Sequence, residues 1–189
     1  GQVEDVSTPA SREERFRAVY ADAYDDVLRF VQRRTLPHHA DDVVAEAFLT
    51  AWRRVADLPA DTSDARAWLF GIARHCLLNQ RRSAARQDAV AVRVAENVAT
   101  SDGTFAPGDA DLIARRLDLT TAWRRLAPAE QEALALTVFD DLTSAQAGAV
   151  LGITPVAYRL RLSRARGALR RHLEGAATGA DASFEEITL

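Results

Sequence analysis

Residues 142–173 constrain this chain more than any other stretch, because they predict two helices joined by a tight turn. Thr143 and Gln146 form a capping box for the first helix, and Gly152 supplies the left-handed residue that ends it. Thr154 then caps a longer helix whose first residue is a proline. A short helix, a glycine turn and a longer helix together predict a helix-turn-helix.

The longer helix carries many arginines and no acidic side chain before Glu174, so it presents a strongly positive face. Such a face favours nucleic acid as the partner. The alternative interpretation is an ordinary solvated face beside an apolar stripe, but a solvated face normally mixes both signs of charge. The arginines are Arg159, Arg161, Arg164, Arg166, Arg170 and Arg171, and the stripe is Tyr158, Leu162, Ala165, Leu169 and Leu173.

The overall charge of the chain conceals this segregation. With 24 basic and 27 acidic residues, the formal net charge is only −3. Basic residues concentrate in 66–93 and 154–171, whereas acids gather near both termini and through the middle. Partners are therefore inferred from the segments and not from the total. A hydrophobic fraction of 48% over 189 residues is enough for the core of one ordinary domain or two small ones.

The sequence contains no pattern that favours bond chemistry. Cys76 is the single cysteine, which excludes an internal disulfide and a cysteine-based zinc site and predicts a buried, inert thiol. No phosphate-binding glycine loop and no nucleophile beside a base is present, and His38 and His39 are interpreted as a helix-entry loop. We expect no enzyme activity, no cofactor and no metal. The absence of a membrane-spanning run or signal-peptide pattern predicts a cytoplasmic protein.

Helical periodicity predicts three helices in the first half of the chain, over 11–35, 41–55 and 64–86. The break at 36–39 contains a proline, and two aspartates then lie in the first turn of the second helix, where they complement its dipole. The second half of the third helix is rich in arginine and amide side chains. That composition suits contacts with phosphates and base edges.

Between 87 and 108, glycine, proline, serine and acids interrupt the periodicity and predict a tether. Helices resume at 110–127 and again at Pro128. Candidate core residues of the first of these two helices are Leu112, Leu117, Leu119 and Trp123.

We therefore predict an all-α fold of two small helical domains joined by a flexible linker. The first domain spans 11–90, the linker 91–109 and the helix-turn-helix domain 110–174. A small, acidic and disordered tail follows at 175–189.

Three segments, 41–55, 65–86 and 142–171, resemble in their order the signature regions of the extracytoplasmic-function (ECF, group 4) class of bacterial sigma factors, within the sigma-70 family. The resemblance covers roughly residues 11–174. It implies that the first domain is sigma region 2 and the second is sigma region 4. It also implies a protein that binds core RNA polymerase and directs promoter recognition, DNA melting and transcription initiation.

For polymerase binding, the resemblance implies that the second helix docks on the clamp helices of the largest (β′) subunit. The matching residues are Asp41, Asp42, Glu46 and Phe48, while alanines replace the family's usual glutamine and threonine. Fewer polar contacts are then available, so affinity would rest on Asp42, Glu46 and apolar packing.

For the −10 element, the third helix matches the helix that opens the DNA and captures a flipped base. His75 stands where the family often has asparagine, and its donor and acceptor pattern differs, so the captured base can differ too. The implied −10 residues are Trp68, Arg74, His75, Asn79, Arg81, Arg82 and Arg86.

For the −35 element, the resemblance implies contacts from the long helix of the helix-turn-helix. Pro155, Val156, Ala157 and Tyr158 replace the small or polar residues usual at its start, where base edges are met. The residues at the helix start therefore do not identify which −35 sequence is read. The implied −35 residues are Thr154, Ala157, Tyr158, Arg159, Arg161 and Arg164.

The implied partners are core RNA polymerase, including its β subunit, promoter DNA and an anti-sigma factor. An alternative function is a stand-alone helix-turn-helix transcriptional regulator, but such a protein has no need of the second nucleic-acid face on the third helix. A helical adaptor protein would leave both basic segments unexplained.

Overall fold

The computed structural model describes residues 9–81, 91–93 and 109–185. Over these residues the chain forms seven α-helices and one short 3-10 turn at Val55–Asp57, with no strand. The helices are α1 Pro9–Gln32, α2 Pro37–Arg53, α3 Thr62–Arg81, α4 Asp109–Arg125, α5 Pro128–Val138, α6 Ser144–Leu151 and α7 Pro155–Glu185.

Helices α1, α2 and α3 form the first domain around buried apolar faces. In α1, Val27, Phe30 and Val31 are fully buried, as their helical spacing predicts. Phe30 stacks on Phe70 of α3 with ring centroids 4.6 Å apart. Burying side chains of this size contributes about 1.5–3 kcal/mol each, so this face holds α1 on α3.

Helices α4 to α7 form the second domain. Their core includes Leu134 and Leu136 of α5, Tyr158 and Leu162 of α7, and Trp123 of α4, which belong to one buried cluster. The two domains contact each other directly, since buried residues of both belong to one continuous cluster. A β-carbon at Gly71 of α3 would lie 4.0 Å from Val150 Cα of α6, so these two helices come close together.

Helix α2 begins earlier than the sequence predicts. Pro37 is its first residue, and Leu36 precedes it in an extended conformation. Proline is tolerated there because its missing N–H would have no helical partner. His38 and His39 therefore lie in the first turn of α2 and not in a loop, and the aspartates Asp41 and Asp42 fall beyond that turn.

Two further differences concern α4 and α7. The leucines predicted as core of α4, Leu112, Leu117 and Leu119, are exposed, and only Trp123 is buried. Helix α7 continues to Glu185, beyond residue 174, where the helix-turn-helix domain is predicted to end. Alanine is frequent in this part of the chain and is the best helix former, a preference that polarity alone does not reveal.

Candidate nucleic-acid interface

The helix-turn-helix has the local geometry that its sequence predicts. Thr143 Oγ1 accepts the Gln146 backbone N–H at 3.2 Å, and the Gln146 side chain accepts the Thr143 N–H at 3.1 Å. Gly152 ends α6 with a φ of +69°, a left-handed conformation that favours glycine. Thr154 Oγ1 accepts the Ala157 N–H at 3.1 Å and so caps α7. The predicted caps are confirmed.

Helix α7 buries one face and presents the other to solvent. Leu162, Ala165 and Ala168 point into the domain. The opposite face carries arginine side chains, and it has the cationic character that DNA binding requires. The residues predicted for the −35 element that lie on this outer side are Thr154, Ala157, Arg159 and Arg164, with Arg161 half-buried beside them.

Tyr158 does not belong to that outer surface, although the resemblance implied a DNA contact. Its side chain is 0% exposed, and its hydroxyl lies 2.7 Å from the Ala133 carbonyl oxygen and 2.6 Å from Thr137 Oγ1. Burial raises the pKa of this hydroxyl above its ordinary value of 10.0. The correction follows from helical spacing, because Tyr158 shares the inward stripe with Leu162 and Ala165.

On α3, the residues predicted for the −10 element face in different directions. His75 and Asn79 are exposed on one face. Arg74 is directed toward the second domain, where its Nε and Nη2 donate to the two carboxylate oxygens of Glu132 at 2.6 and 3.0 Å. This bidentate pairing is the geometry in which arginine also holds phosphate. In the present arrangement Arg74 is therefore occupied by a carboxylate of its own chain.

The remaining predicted −10 residues are less accessible or lie elsewhere. Trp68 is half-buried, with the guanidinium carbon of Arg54 5.7 Å from the centroid of its ring. Arg81 donates to the backbone carbonyl of Arg34 at 3.0 Å. Arg82 and Arg86 lie outside the described residues.

A groove of about 650 Å³ separates the exposed face of α3 from α6. Its α3 wall includes Trp68, His75 and Asn79, and its α6 wall includes Gln146 and Val150. The Gln146 side chain also donates to Ser63 Oγ and Asp64 Oδ1, both at 2.9 Å. The predicted base-reading side chains of α3 therefore face the helix-turn-helix domain at short range.

A second buried ion pair joins the two domains. Arg34 Nη2 lies 2.7 Å from Asp140 Oδ2, and the two side chains are 0% and 2% exposed. Arg33 approaches the same carboxylate at 3.5 Å. Burial raises the pKa of Asp140, although the charge of Arg34 opposes the shift. We call the surface formed by Arg34 and Arg74 on one side and Glu132 and Asp140 on the other the interdomain interface.

Sequence reasoning missed the acidic half of this interface. Glu132 and Asp140 lie outside every predicted binding motif, yet they are 1% exposed. The available signal was the position of Glu132 beside the apolar run 133–136, because an acid on a buried face needs a cationic partner.

Residues 91–93 lie between the two domains, within the segment predicted as a flexible linker. The Val92 N–H donates to the Gln131 side chain at 3.0 Å, and the Val92 carbonyl accepts from Trp123 Nε1 at 2.6 Å. Arg93 bonds the first domain, since its N–H donates to the Arg33 carbonyl at 2.8 Å. The start of the linker is therefore attached to both domains.

Helix α2 presents the residues predicted for polymerase binding in two environments. Asp41, Asp42 and Glu46 are exposed. Phe48 is only 5% exposed, and its ring centroid lies 5.7 Å from that of Tyr24 in α1. Its side chain therefore packs α2 against α1. Two apolar side chains, Leu49 and Trp52, are exposed on the same helix, and sequence reasoning did not assign them.

The described residues offer little else that binds small groups. No cluster of three or more histidine, cysteine, aspartate or glutamate side chains in residues 9–81, 91–93 and 109–185 is placed to hold a metal ion. No helix in those same ranges is long and apolar enough to cross a membrane.

Two family profiles match the chain, "Sigma-70 region 2" over residues 19–87 and "Sigma-70, region 4" over residues 116–169. The chain is also similar to the ECF RNA polymerase sigma factor SigC of Mycobacterium tuberculosis. The two are 37% identical over 145 residues, which is 76% of this chain and 75% of SigC.

Two solved structures share the fold. One is the sigma factor RpoE in complex with the anti-sigma factor NepR from Bartonella quintana, at a TM-score of 0.58 and 23% identity, covering 85% of this chain and 98% of RpoE. The other is CnrH in complex with the cytosolic domain of CnrY, at a TM-score of 0.51 and 23% identity, covering 89% of this chain and 91% of CnrH.

Proposed function

This chain belongs to the extracytoplasmic-function class of the sigma-70 family of RNA polymerase sigma factors, and from that membership we propose a division of work among its helices. It is a sigma factor, which binds core RNA polymerase and directs promoter recognition and transcription initiation. In the proposed division, α2 docks on polymerase, α3 opens and reads the −10 element, and α7 reads the −35 element. The observation that carries the proposal is that these three helices expose chemically different faces.

Helix α2 supplies an acidic face for polymerase. Asp41, Asp42 and Glu46 are exposed and lie near one another along the helix. Leu49 and Trp52 add apolar contact area, which charged residues alone do not provide. Phe48 acts indirectly, because its buried ring packs against α1 and so fixes the position of α2.

Helix α3 supplies the groups for the −10 element. His75 and Asn79 are exposed and can donate and accept hydrogen bonds with an unstacked base. A phosphate that binds Arg74 has to displace the Glu132 carboxylate. We therefore propose that the arrangement described here is the form free of polymerase, and that the domains separate when the sigma factor joins polymerase and promoter.

Helix α7 supplies the −35 contacts. Its outer arginines meet phosphates and base edges, while Thr154 fixes the start of the helix. Arg159 and Arg164 are exposed and lie on the side away from the domain core. Tyr158 holds α7 on α5 instead of touching DNA.

Partners, chemistry and location follow from the same membership. RpoE and CnrH were each solved with a protein partner, and NepR is an anti-sigma factor. By that likeness we assign this chain an anti-sigma factor as a further partner. The proposed work is binding and strand separation without bond chemistry, and polymerase and DNA place it in the cytoplasm.

Run-off transcription with bacterial core polymerase on fragmented genomic DNA tests the proposal. Adding the protein should create new transcript starts that share two upstream elements at a fixed spacing. The charge-neutral variants Asp42→Asn and Glu46→Gln should lose transcription but keep affinity for the −35 duplex. Arg159→Ala should weaken the duplex contact, and Asp118→Asn, on the exposed side of α4, serves as the control.

Duplex binding without any new transcript start would contradict the proposed division of work. That result would instead favour a stand-alone helix-turn-helix regulator, whose activity does not depend on polymerase.

A further inference from the structure

Two large apolar side chains stand exposed at the start of α7. Val156 is 66% exposed and Leu160 is 53% exposed. They are four residues apart in sequence, so they lie on one face of the helix. Neither takes part in the domain core, which α7 reaches through Tyr158, Leu162 and Ala165.

Cationic and polar side chains surround this apolar pair. Arg159 and Arg164 are exposed on either side of Leu160 along the helix, and Ser163 is exposed one turn beyond it. Isolated apolar side chains are common on protein surfaces and alone indicate nothing. Here they share the outer, basic face of a helix-turn-helix, which is the face that enters the major groove.

The major groove offers one apolar group at a base edge, the C5-methyl of thymine. We propose that Val156 and Leu160 read thymine methyl groups in the −35 element. Arginines at the same surface hold phosphates and guanine edges, so the apolar pair supplies the part of the readout that cations cannot. This inference rests on the proposed function of α7.

The spacing of the pair limits which bases it reaches. Four residues of helix rise about 6 Å, and base pairs are stacked about 3.4 Å apart. The two methyl groups therefore lie on base pairs that are adjacent or separated by one.

The charge of the surroundings argues for DNA as the occupant of this face. Arg159 and Arg164 flank the apolar pair, so a purely apolar protein surface that covered it would leave both guanidinium groups without counter-charges. DNA needs those cations, because they neutralise its phosphates.

The test uses the full chain and a randomised duplex library, from which bound sequences are selected. Each thymine of the selected site is then replaced singly by deoxyuridine, which lacks only the methyl group. Replacement at the contacted positions should lower affinity about fourfold each, the equivalent of one buried methyl group. Replacement at the other positions should leave affinity unchanged.

The variants Val156→Ala and Leu160→Ala complete the test. Each should lower affinity for the thymine duplex and lose its sensitivity to deoxyuridine at one position. Val138→Ala is the matched control, since Val138 is 63% exposed at the end of α5 and lies outside the helix-turn-helix. The Val138→Ala variant should keep the affinity of the natural chain for the thymine duplex and the same loss of affinity on replacement by deoxyuridine.

The possible failures are distinguishable. A chain that selects no sequence from the library would overturn the proposed role of α7 as well as this inference. A chain that selects a site but binds thymine and deoxyuridine equally would overturn the inference alone. Normal DNA binding by Val156→Ala and Leu160→Ala with impaired transcription would assign the apolar pair to a protein partner.

Discussion

Arg74 can neutralise a carboxylate of its own chain or a phosphate of the promoter, but not both together. Its bidentate contact with Glu132 has the same geometry that a phosphate would adopt. Both side chains of this contact are largely withdrawn from solvent. At the scale of single residues, the acid of the second domain therefore imitates the DNA that the first domain is expected to bind.

Cys76 gives a prediction that follows from burial. The pKa of its thiol is raised to about 11 by desolvation, from an ordinary value of 9.0. Near neutral pH this leaves roughly a hundredfold less thiolate than an ordinary cysteine has. Reaction of the native chain with a thiol reagent should be slow and should accelerate as the pH rises toward 11.

The denatured chain is the control for this thiol measurement, because unfolding removes the desolvation. As the only cysteine, Cys76 gives an unambiguous signal. Equal rates for native and denatured chain would show that the thiol is not shielded as described.

Tyr158→Phe tests the corrected role of the tyrosine. The change removes the hydroxyl that contacts Ala133 and Thr137 and should lower the free energy of unfolding by about 1–2 kcal/mol. Affinity for a −35 duplex, measured under conditions where the variant stays folded, should not change. Tyr20→Phe, at an exposed position of α1, should affect neither quantity. Lost DNA affinity with normal stability would restore the original prediction.

Sequence reasoning separated exposed from buried residues well where helical spacing was decisive. Arg159 and Arg164 are exposed, as their positions predict. It assigned Tyr158 and Phe48 to binding surfaces because the family motif runs through them, although both belong to an inward stripe. A motif reports which helix is functional, but the helical phase decides which of its side chains reach a partner.

At the scale of elements, the turn of the helix-turn-helix depends on close backbone approach. A β-carbon at Gly148 would lie 2.8 Å from the Ile153 carbonyl oxygen. Gly148→Ala should therefore lower the free energy of unfolding by about 1–3 kcal/mol, since the turn must shift. Thermal unfolding followed by circular dichroism measures the effect.

Gly167→Ala is the matched control for that change. A β-carbon at Gly167 would meet only the far end of the Arg171 side chain at 3.8 Å. Alanine is the better helix former, so this variant should gain up to about 1 kcal/mol in stability. A stable Gly148→Ala variant would contradict the tight turn.

The contact between α1 and α3 predicts that the stability of the fold depends on pH. Asp26 accepts from Arg29 at 2.9 Å and from Arg66 of α3 at 2.7 Å. These bonds, with Arg29 as the larger influence, lower the pKa of Asp26 below its ordinary value of 3.8. The folded chain then holds the carboxylate charged where the unfolded chain would already take up a proton. The stabilisation is present above 3.8 and is lost as the pH falls below it.

Comparison with Asp26→Asn isolates this effect. The variant should be less stable than the natural chain by about 0.5–1 kcal/mol near neutral pH. The difference should narrow as the pH falls below the ordinary carboxyl pKa. Asp22→Asn, exposed on the same helix, should show no such trend, and a constant difference for Asp26→Asn would contradict the assignment.

The elements themselves were largely predictable, and their ends were less so. Caps and turn residues located α6 and the start of α7, because their signals are local. The start of α2 was missed because Pro37 was read as a breaker, although proline also serves as a first residue. The exposure of the α4 leucines could not be predicted from periodicity. Helical spacing shows which residues share a face, but not whether another helix covers that face.

At the scale of the whole molecule, the interdomain interface sets the relation between the two DNA-binding faces. Glu132→Gln with Asp140→Asn removes the two carboxylate charges that face Arg74 and Arg34, and leaves the buried Arg34 without its ion pair. The closed arrangement should then lose population, because an unpaired buried charge is costly and water satisfies it in the open form. The radius of gyration from X-ray scattering should increase, and affinity for a −10 single strand should rise several-fold.

Glu13→Gln is the control for this pair, because it removes an exposed carboxylate that bonds Arg17 within α1. Circular dichroism separates opening from unfolding, since open domains keep their helices. Unchanged scattering with unchanged single-strand affinity would show that these two carboxylate charges do not hold the domains together.

The acids at the interdomain interface should also lower the nonspecific affinity of the free protein for DNA. A nucleoid presents an enormous excess of phosphate, and every available arginine draws a protein into nonspecific association with it. By keeping Arg34 and Arg74 paired internally, the closed chain loses part of that attraction. The exposed arginines of α7 keep their own attraction for phosphate, so pairing within the interdomain interface should weaken nonspecific association without abolishing it.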